Sequence, residues 1–145
     1  KLLENGVAPC GLGCRDTLRL EAGMHLYGSE MDTTITPYEA SLGWIVNAQK
    51  PYIGKSILDE QKKNGIDKKL VAITLTKRNI ARHDYQIMDG DNIIGKVTSG
   101  TWSPSLSIPI ALAYVPTKLS KVGSKIYVKI RGKLEQATVV KKPFY

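Results

Sequence analysis

From Leu70 onward, apolar and polar residues alternate with a period of two. Val71, Ile73 and Leu75 stand against Ala72, Thr74 and Thr76, the pattern of a half-buried strand. Lys125-Ile-Tyr-Val-Lys-Ile-Arg131 repeats it, with Ile126, Val128 and Ile130 set against Tyr127, Lys129 and Arg131. Gly132 and Lys133 turn that strand into Gln136–Val140. Ile108–Val115 reads as a further strand, with Pro109 near its start. Tyr85–Met88 and Ile93–Thr98 flank Asp89-Gly-Asp-Asn92, a four-residue hairpin connection. Gly95-Lys-Val-Thr-Ser-Gly-Thr101 lacks the order of a phosphate-binding glycine loop and reads as a strand with a tight bend before Pro104. Short strands with turn signals between them predict an antiparallel barrel, jelly-roll or sandwich.

Before Leu70 the period changes. Residues 11–28 predict a helix that ends at Gly28, with Arg15 and Arg19 on one stripe at the (i, i+4) spacing. Leu18, Ala22 and Leu26 lie near that stripe, and Leu20, Met24 and Tyr27 lie on the opposite side. A helix apolar on two sides is expected between two layers, and a buried arginine there needs an anionic or acceptor partner. Residues 29–41 read as a polar loop, and Leu42–Val46 as a short strand. Residues 53–64 predict a second helix closed by Gly65. The fold class is therefore mainly β with some α. Residues 1–50 are expected to form the tail of a preceding domain, and residues 51–145 a helix-plus-barrel domain.

Composition narrows the function classes. A chain of 145 residues with 42% apolar content can fill one core. No run of about 18 apolar residues exists, so no membrane helix is expected, and no secretory signal is visible. Cys10 and Cys14 have no partners at metal-ligand spacing in His25 or His83, so no metal site is expected. The net charge is +8. Lys118, Lys121, Lys125, Lys129, Lys133, Lys141, Lys142 and Arg131 crowd the C-terminal end, a balance that suits nucleic acid, an acidic protein, an anionic ligand or simple solvation. Aromatic residues make only 7% of the chain, which disfavours the stacking surface of a basic nucleic-acid-binding barrel, so no nucleic-acid partner is expected.

Several ordered blocks carry a resemblance. Gly13-Cys-Arg-Asp-Thr-Leu-Arg-Leu-Glu-Ala-Gly23, Leu26-Tyr-Gly28, Thr36-Pro-Tyr-Glu-Ala40, Leu42-Gly-Trp44 and Ile53-Gly-Lys55 come first. Gly95–Thr101 with Ser103-Pro104, Ile110-Ala111, Tyr114-Val115, Val139-Val140 and Pro143-Phe144 follow. Together they resemble the C-terminal portion of the aminomethyltransferase (T protein) family of the glycine cleavage system. That resemblance implies a C-terminal barrel preceded by a helical segment from the end of a truncated folate-binding domain. It also implies transfer of a methylene carbon from an aminomethyl group on a lipoylated carrier (H) protein to tetrahydrofolate, with release of ammonia. The family's catalytic aspartate lies in the portion this chain does not match, so no catalytic residue is assigned here and the chain alone is expected to be inactive. The location implied is cytoplasmic for a bacterial source and mitochondrial for a eukaryotic one. The alternative is the C-terminal folate-binding region of a dimethylglycine- or sarcosine-dehydrogenase-like protein, which shares the architecture.

The resemblance also singles out two cofactor-binding residues. Arg15 matches an arginine at the family's folate cavity, and Arg82 one at its mouth. A guanidinium fork suits the pterin's acceptors and the anionic tail. The competing readings are local pairing of Arg15 with Asp16 or Glu21, and a solvated loop cation for Arg82. Arg19 and Glu21 read as structural salt-bridge residues, and His83 as a loop histidine without a partner.

Overall fold

The computed structural model describes all 145 residues. Six strands close an antiparallel barrel: β1 (Lys68–Leu75), β2 (Gln86–Asp89), β3 (Asn92–Ser103), β4 (Ile108–Pro116), β5 (Lys125–Ile130) and β6 (Lys133–Val140). Their order around the barrel is β1-β4-β3-β2-β5-β6, and β6 returns to β1 through Ala72↔Val140 to Leu75↔Ala137. Closure leaves no free sheet edge, and it selects the barrel from the architectures the alternation allowed. Two helices precede the sheet, α1 (Leu12–Glu21) and α2 (Lys55–Asn64).

The barrel interior is filled by the alternate residues of the strands. Val71, Ile73 and Leu75 meet Ile126, Val128 and Ile130 there, with Ile87, Val97, Val115 and Val139 between them. On β5 the pattern is strict, with Lys125, Tyr127 and Lys129 outside. On β1 it is not. Leu70 and Ala72, on the outer face, are as buried as the inner residues. The reason is a second apolar layer: Leu20 of α1 packs on Leu70, Ala72, Ile110, Leu112 and Tyr114. A strand covered on both faces loses its polar side.

Four local expectations are corrected. The first helix stops at Glu21, well before Gly28, because Gly23 takes a left-handed φ of 69°. At that point Ala22 N and Gly23 N donate back to the Leu18 and Leu20 carbonyls. Residues 42–46 form no strand: Gly43–Ile45 is a single 3-10 turn. A Cβ on Gly43 would overlap the Tyr38 ring, so that segment is packed as a turn against its neighbour. The hairpin at Asp89–Asn92 is tighter than read, since both end residues belong to the strands and only Gly90 and Asp91 turn. Arg131 is a turn residue at φ 48°, not the last residue of β5.

Within this chain α1 is covered on one side only, by the barrel. Leu20 is fully buried while Leu12, Leu18, Met24 and Tyr27 are exposed. Besides the Leu20 contact, polar bonds hold α1 on the barrel. Glu21, only 3% exposed, accepts hydrogen bonds from the Ser103 hydroxyl, the Ser105 hydroxyl at 2.8 Å and the Ser105 backbone N–H at 3.2 Å. The Ser103 hydroxyl foremost, with both Ser105 donors, holds its carboxyl below the usual carboxylate range against the opposing effect of burial.

Two outcomes follow for stability. A Cβ on Gly100 would overlap the Ala81 carbonyl oxygen, and one on Gly95 the Tyr114 carbonyl oxygen. Neither obstacle is a flexible side-chain tip, so Gly100→Ala is expected to destabilise the protein by about 1–3 kcal/mol or more in urea denaturation. An unchanged midpoint would show that the strand can shift. The second outcome concerns Glu21. Its folded-state pKa lies below the unfolded reference of 4.5, so its contribution is present above that value and is lost as pH falls through the lower folded one. Glu21→Gln is expected to lower the melting temperature at neutral pH, and the gap to the parent should narrow as the pH falls below the reference. A gap constant across that window would remove the linkage.

Candidate functional site

The site forms where α1, the β1–β2 loop and β3 converge. Arg19 organises it. Its Nε donates to Asp16 Oδ1 at 2.8 Å, Nη1 to Glu30 Oε2 at 3.0 Å and to the Met24 carbonyl at 3.3 Å, and Nη2 to Ser99 Oγ at 2.9 Å. Its side chain is 11% exposed and that of Glu30 is fully buried. Glu30 Oε2 also accepts the Leu26 N–H at 2.8 Å, and the Tyr114 hydroxyl donates to the Glu30 carbonyl at 2.7 Å. Burial foremost, with Glu39, Glu30 and Asp32 nearby, raises the Tyr114 phenol above its ordinary range and keeps it a donor. Arg19 is thus a structural ion-pair residue, as its place in the block suggested. Glu21 differs from that reading, since it bonds hydroxyls and a backbone N–H rather than a cation.

One helical turn earlier, Arg15 is exposed and makes no hydrogen bond or ion pair within the chain. The two carboxylates that could have neutralised it are engaged elsewhere, Asp16 by Arg19 and Glu21 by Ser103 and Ser105. Arg82 stands in the loop between β1 and β2. Its one polar contact is a long one, Nη1 to the Gly100 carbonyl at 3.5 Å. Both arginines line a single open cleft of about 630 Å³. Leu12, Gly13 and Asp16 of α1 and its approach form one wall, and Thr98, Ser99 and Gly100 of β3 form the floor. The cleft's size is in the range of small-molecule sites.

Sequence reasoning placed Arg15 and Arg82 in the chain without bringing them together; the barrel does. It did not link the floor to Arg19, because Ser99 is 80 residues from Arg19 and no local pattern joins them. It reads His83 as a loop histidine without a partner, whereas the ring lines the cleft beside Arg82 and has its Nδ1 at 2.6 Å from the Thr98 carbonyl. The only available signal was adjacency to Arg82.

Chemically, the cleft offers two guanidinium groups without carboxylate partners, an imidazole and a hydroxyl. It suits a ligand with several acceptors and negative charge. No group of three or more His, Cys, Asp or Glu side chains could hold a metal ion, and Cys10 and Cys14 are exposed free thiols. No helix is long and apolar enough to cross a membrane.

The comparisons with known proteins agree with this fold. The family described as "Glycine cleavage T-protein C-terminal barrel domain" matches residues 68–145, and "GCVT N-terminal domain" matches residues 2–50. An aminomethyltransferase of Parasynechococcus marenigrum is 55% identical over 146 residues, covering 99% of this chain and 40% of the relative. One of Prochlorococcus marinus is 56% identical over 147 residues, covering 100% of this chain and 39% of the relative. The crystal structure of the glycine cleavage system aminomethyltransferase T from Bartonella henselae superposes with a TM-score of 0.92 at 33% identity, over 99% of this chain and 41% of that one. The chain therefore spans about two fifths of the length of the curated relatives it matches. By the barrel, by the blocks on α1 and by these matches, it belongs to the glycine cleavage T-protein family and corresponds to its C-terminal region.

Proposed function

We propose that this chain is the C-terminal part of a tetrahydrofolate-dependent aminomethyltransferase. The whole protein would transfer the methylene carbon of an aminomethyl group, carried on the lipoyl arm of the H protein, to tetrahydrofolate, with release of ammonia. Residues 1–50 would complete a folate-binding domain and residues 51–145 would form the barrel domain beside it. The cyanobacterial sources of the relatives support a cytoplasmic setting.

The observation that carries this reading is the contrast among three arginines at one cleft. Arg19 is saturated by protein partners, whereas Arg15 and Arg82 are not. The residues present fit tetrahydrofolate: a floor of carbonyls and hydroxyls, two free guanidinium forks and room of about 630 Å³. Bound there, tetrahydrofolate would supply the nitrogen that accepts the one-carbon unit. Arg15 and Arg82 would bind and orient it by charged hydrogen bonds, and α1, fixed by Arg19 and Glu21, would keep Arg15 at a constant place. Holding the two reactants in register is a proximity effect, which can supply a large part of such a rate enhancement. No side chain of this chain is given the proton-transfer role.

The test separates binding from folding. In the full-length enzyme, Arg15→Ala is expected to weaken tetrahydrofolate binding by roughly one to two orders of magnitude, the equivalent of one charged hydrogen bond, and to leave the melting temperature nearly unchanged. Arg19→Ala should instead lower the melting temperature sharply, since it leaves Glu30 buried without its cation, at a cost of about 3–5 kcal/mol. Calorimetric titration and thermal denaturation of both variants read the two effects. Equal folate affinity in the parent and Arg15→Ala would end the proposal.

The carrier protein would dock on the basic face. Lys125 and Lys129 project outward from β5, with exposed Arg131 in the following turn and Lys141 after β6. A positive face steers an acidic partner and raises its association rate with little effect on the chemical step. Lys129→Glu combined with Arg131→Glu is expected to raise the KM for the carrier protein at low salt. The effect should shrink toward about 0.1 M salt, where the Debye length falls to about 10 Å. A KM unmoved at low salt would place the docking surface elsewhere.

A further inference from the structure

β6 ends at Val140, and the chain beyond it is pinned to α1. The Phe144 N–H donates to the Glu21 carbonyl at 3.0 Å, and the Phe144 ring packs on the Leu20 layer. The Lys142 stem is thereby laid against the residues that follow the helix. A Cβ on Gly23 would come within 3.2 to 3.3 Å of the Lys142 Cβ, Cγ and Cδ, so the missing side chain at Gly23 admits the stem. The amine ends 3.3 Å from His25 Nε2.

That contact carries a condition. An ammonium can only donate, and so can an imidazolium. The two nitrogens bond only when one of them presents a lone pair, so amine and ring share a single proton between them. Glu30, the carboxylate that acts on both groups, is already paired with Arg19 at 3.0 Å. Burial foremost lowers the Lys142 amine below the ordinary lysine range, against the attraction of Glu30 and with the repulsion of Lys69. Burial foremost, then Lys142 and more weakly Arg19, lowers the His25 ring against Glu30 and the Ala40 carbonyl.

The pair opens on a second cleft, of about 560 Å³. Met24, Met31, Leu42 and Trp44 form its apolar wall, and His25 and Lys142 are the only ionisable side chains on it. The Ser41 hydroxyl on the same lining already donates to the Leu70 carbonyl at 2.7 Å. With no carboxylate and no further cation, this cleft does not suit an anion as the Arg15–Arg82 cleft does. It suits a neutral molecule with an apolar body and one group that an amine can engage. A lysine beside a base in an apolar setting is the arrangement that forms imines with carbonyl compounds.

We propose that Lys142 is a carbonyl-reactive lysine whose amine takes an aldehyde with an apolar or aromatic body resting on Trp44, with His25 as the proton acceptor. Lys142 passes a proton to His25 Nε2, and the freed lone pair attacks the aldehyde carbon. The nitrogen–carbon bond forms, the carbonyl electron pair moves to oxygen, and a proton shifts from nitrogen to that oxygen. The imidazolium then returns its proton to the hydroxyl, which leaves as water while the nitrogen lone pair closes the imine. The ammonium and the aldehyde thus give a protonated imine and one water, His25 ends as it began, and nothing is oxidised or reduced. Arg15 and Arg82 line the other cleft, so this site stands whether or not that one holds folate.

The experiment exposes the full-length protein to benzaldehyde at neutral pH, fixes the imine with cyanoborohydride at short times and locates the labelled lysines by peptide mass spectrometry. Lys142 is expected to react at least about tenfold faster than exposed Lys118, a modest share of what a positioned base contributes. His25→Gln should remove most of that advantage. If that variant is unstable, the parent's pH profile reads the same pairing, since Lys142 labelling should rise at lower pH than Lys118 labelling. Trp44→Ala should raise the benzaldehyde concentration for half-maximal labelling about two- to tenfold, the scale of one aromatic contact. It should leave labelling by formaldehyde, which has no body to rest on the wall, unchanged. Lys142 reacting no faster than Lys118 overturns the proposal, and so does an equal Lys142 rate in a folded His25→Gln protein or a pH profile that matches that of Lys118. Benzaldehyde labelling unmoved by Trp44→Ala overturns the cleft as the place where the aldehyde lies.

Discussion

The buried pair of Arg19 and Glu30 is the constraint on which the site depends. Removing two charges from water costs several kcal/mol for each ion, and attraction recovers it best where the remaining donors and lone pairs are also satisfied; the bonds to Glu30 converge on Oε2, while its Oε1 is buried without a partner. Here Arg19 reaches Asp16, Glu30, the Met24 carbonyl and Ser99, which come from α1, the segment after it and the middle of β3. One planar fork thereby ties three parts of the chain in a fixed relation. Glu30 is anchored in turn by the Leu26 N–H and, through its carbonyl, by Tyr114 of β4. Apolar contact through Leu20 brings α1 to the barrel, but apolar contact is non-directional. The directional bonds of Arg19 at one place and Glu21 at another fix the helix rotation.

The position of Arg15 follows from that rotation. Residues four apart on a helix are neighbours on its surface, so fixing Arg19 against β3 sets Arg15 at the rim of the same cleft. The barrel supplies the opposite edge: Arg82 and His83 sit on a loop stitched to β3 by backbone hydrogen bonds through Val97. β3 also needs its glycines. Gly95 and Gly100 let the Tyr114 and Ala81 backbones approach to where no Cβ fits, which makes the Gly95–Thr101 block a packing requirement and explains its likeness to a phosphate loop in composition alone.

What could be read from the sequence divides along physical lines. The strands were legible because one face of each meets a continuous core, so period two appears directly, most cleanly in Lys125–Ile130. β1 was read as half-buried because nothing local announces that Leu20 will cover Leu70 and Ala72. The end of α1 was misplaced because the apolar spacing of Leu26 and Tyr27 outlasts the helix. Gly23, whose φ is positive and over which the Lys142 stem packs, breaks it first. Leu42–Val46 looked like a strand on hydrophobicity alone, yet Gly43 packed on Tyr38 makes it a turn. The partners of Arg19 and Glu21 on β3 and beyond it lie 80 or more residues away in sequence, beyond the reach of any window.

Arginines 15, 19 and 82 are chemically identical, and only their surroundings sort them. A guanidinium left exposed keeps its hydration, so Arg15 and Arg82 cost the fold little without a protein partner. A guanidinium taken from water needs every donor answered, as Arg19's environment does. Here the nearby carboxylates are engaged in structural bonds, Asp16 with Arg19 and Glu21 with the serines at and after the end of β3, and the remaining cations are left without carboxylate partners in the chain. Glu21 clamps α1 to the residues at and after the end of β3, and Asp16 is held within α1 by Arg19, which carries the other clamp, so the fixing of the helix and the lack of a carboxylate partner for Arg15 arise from one connected set of bonds.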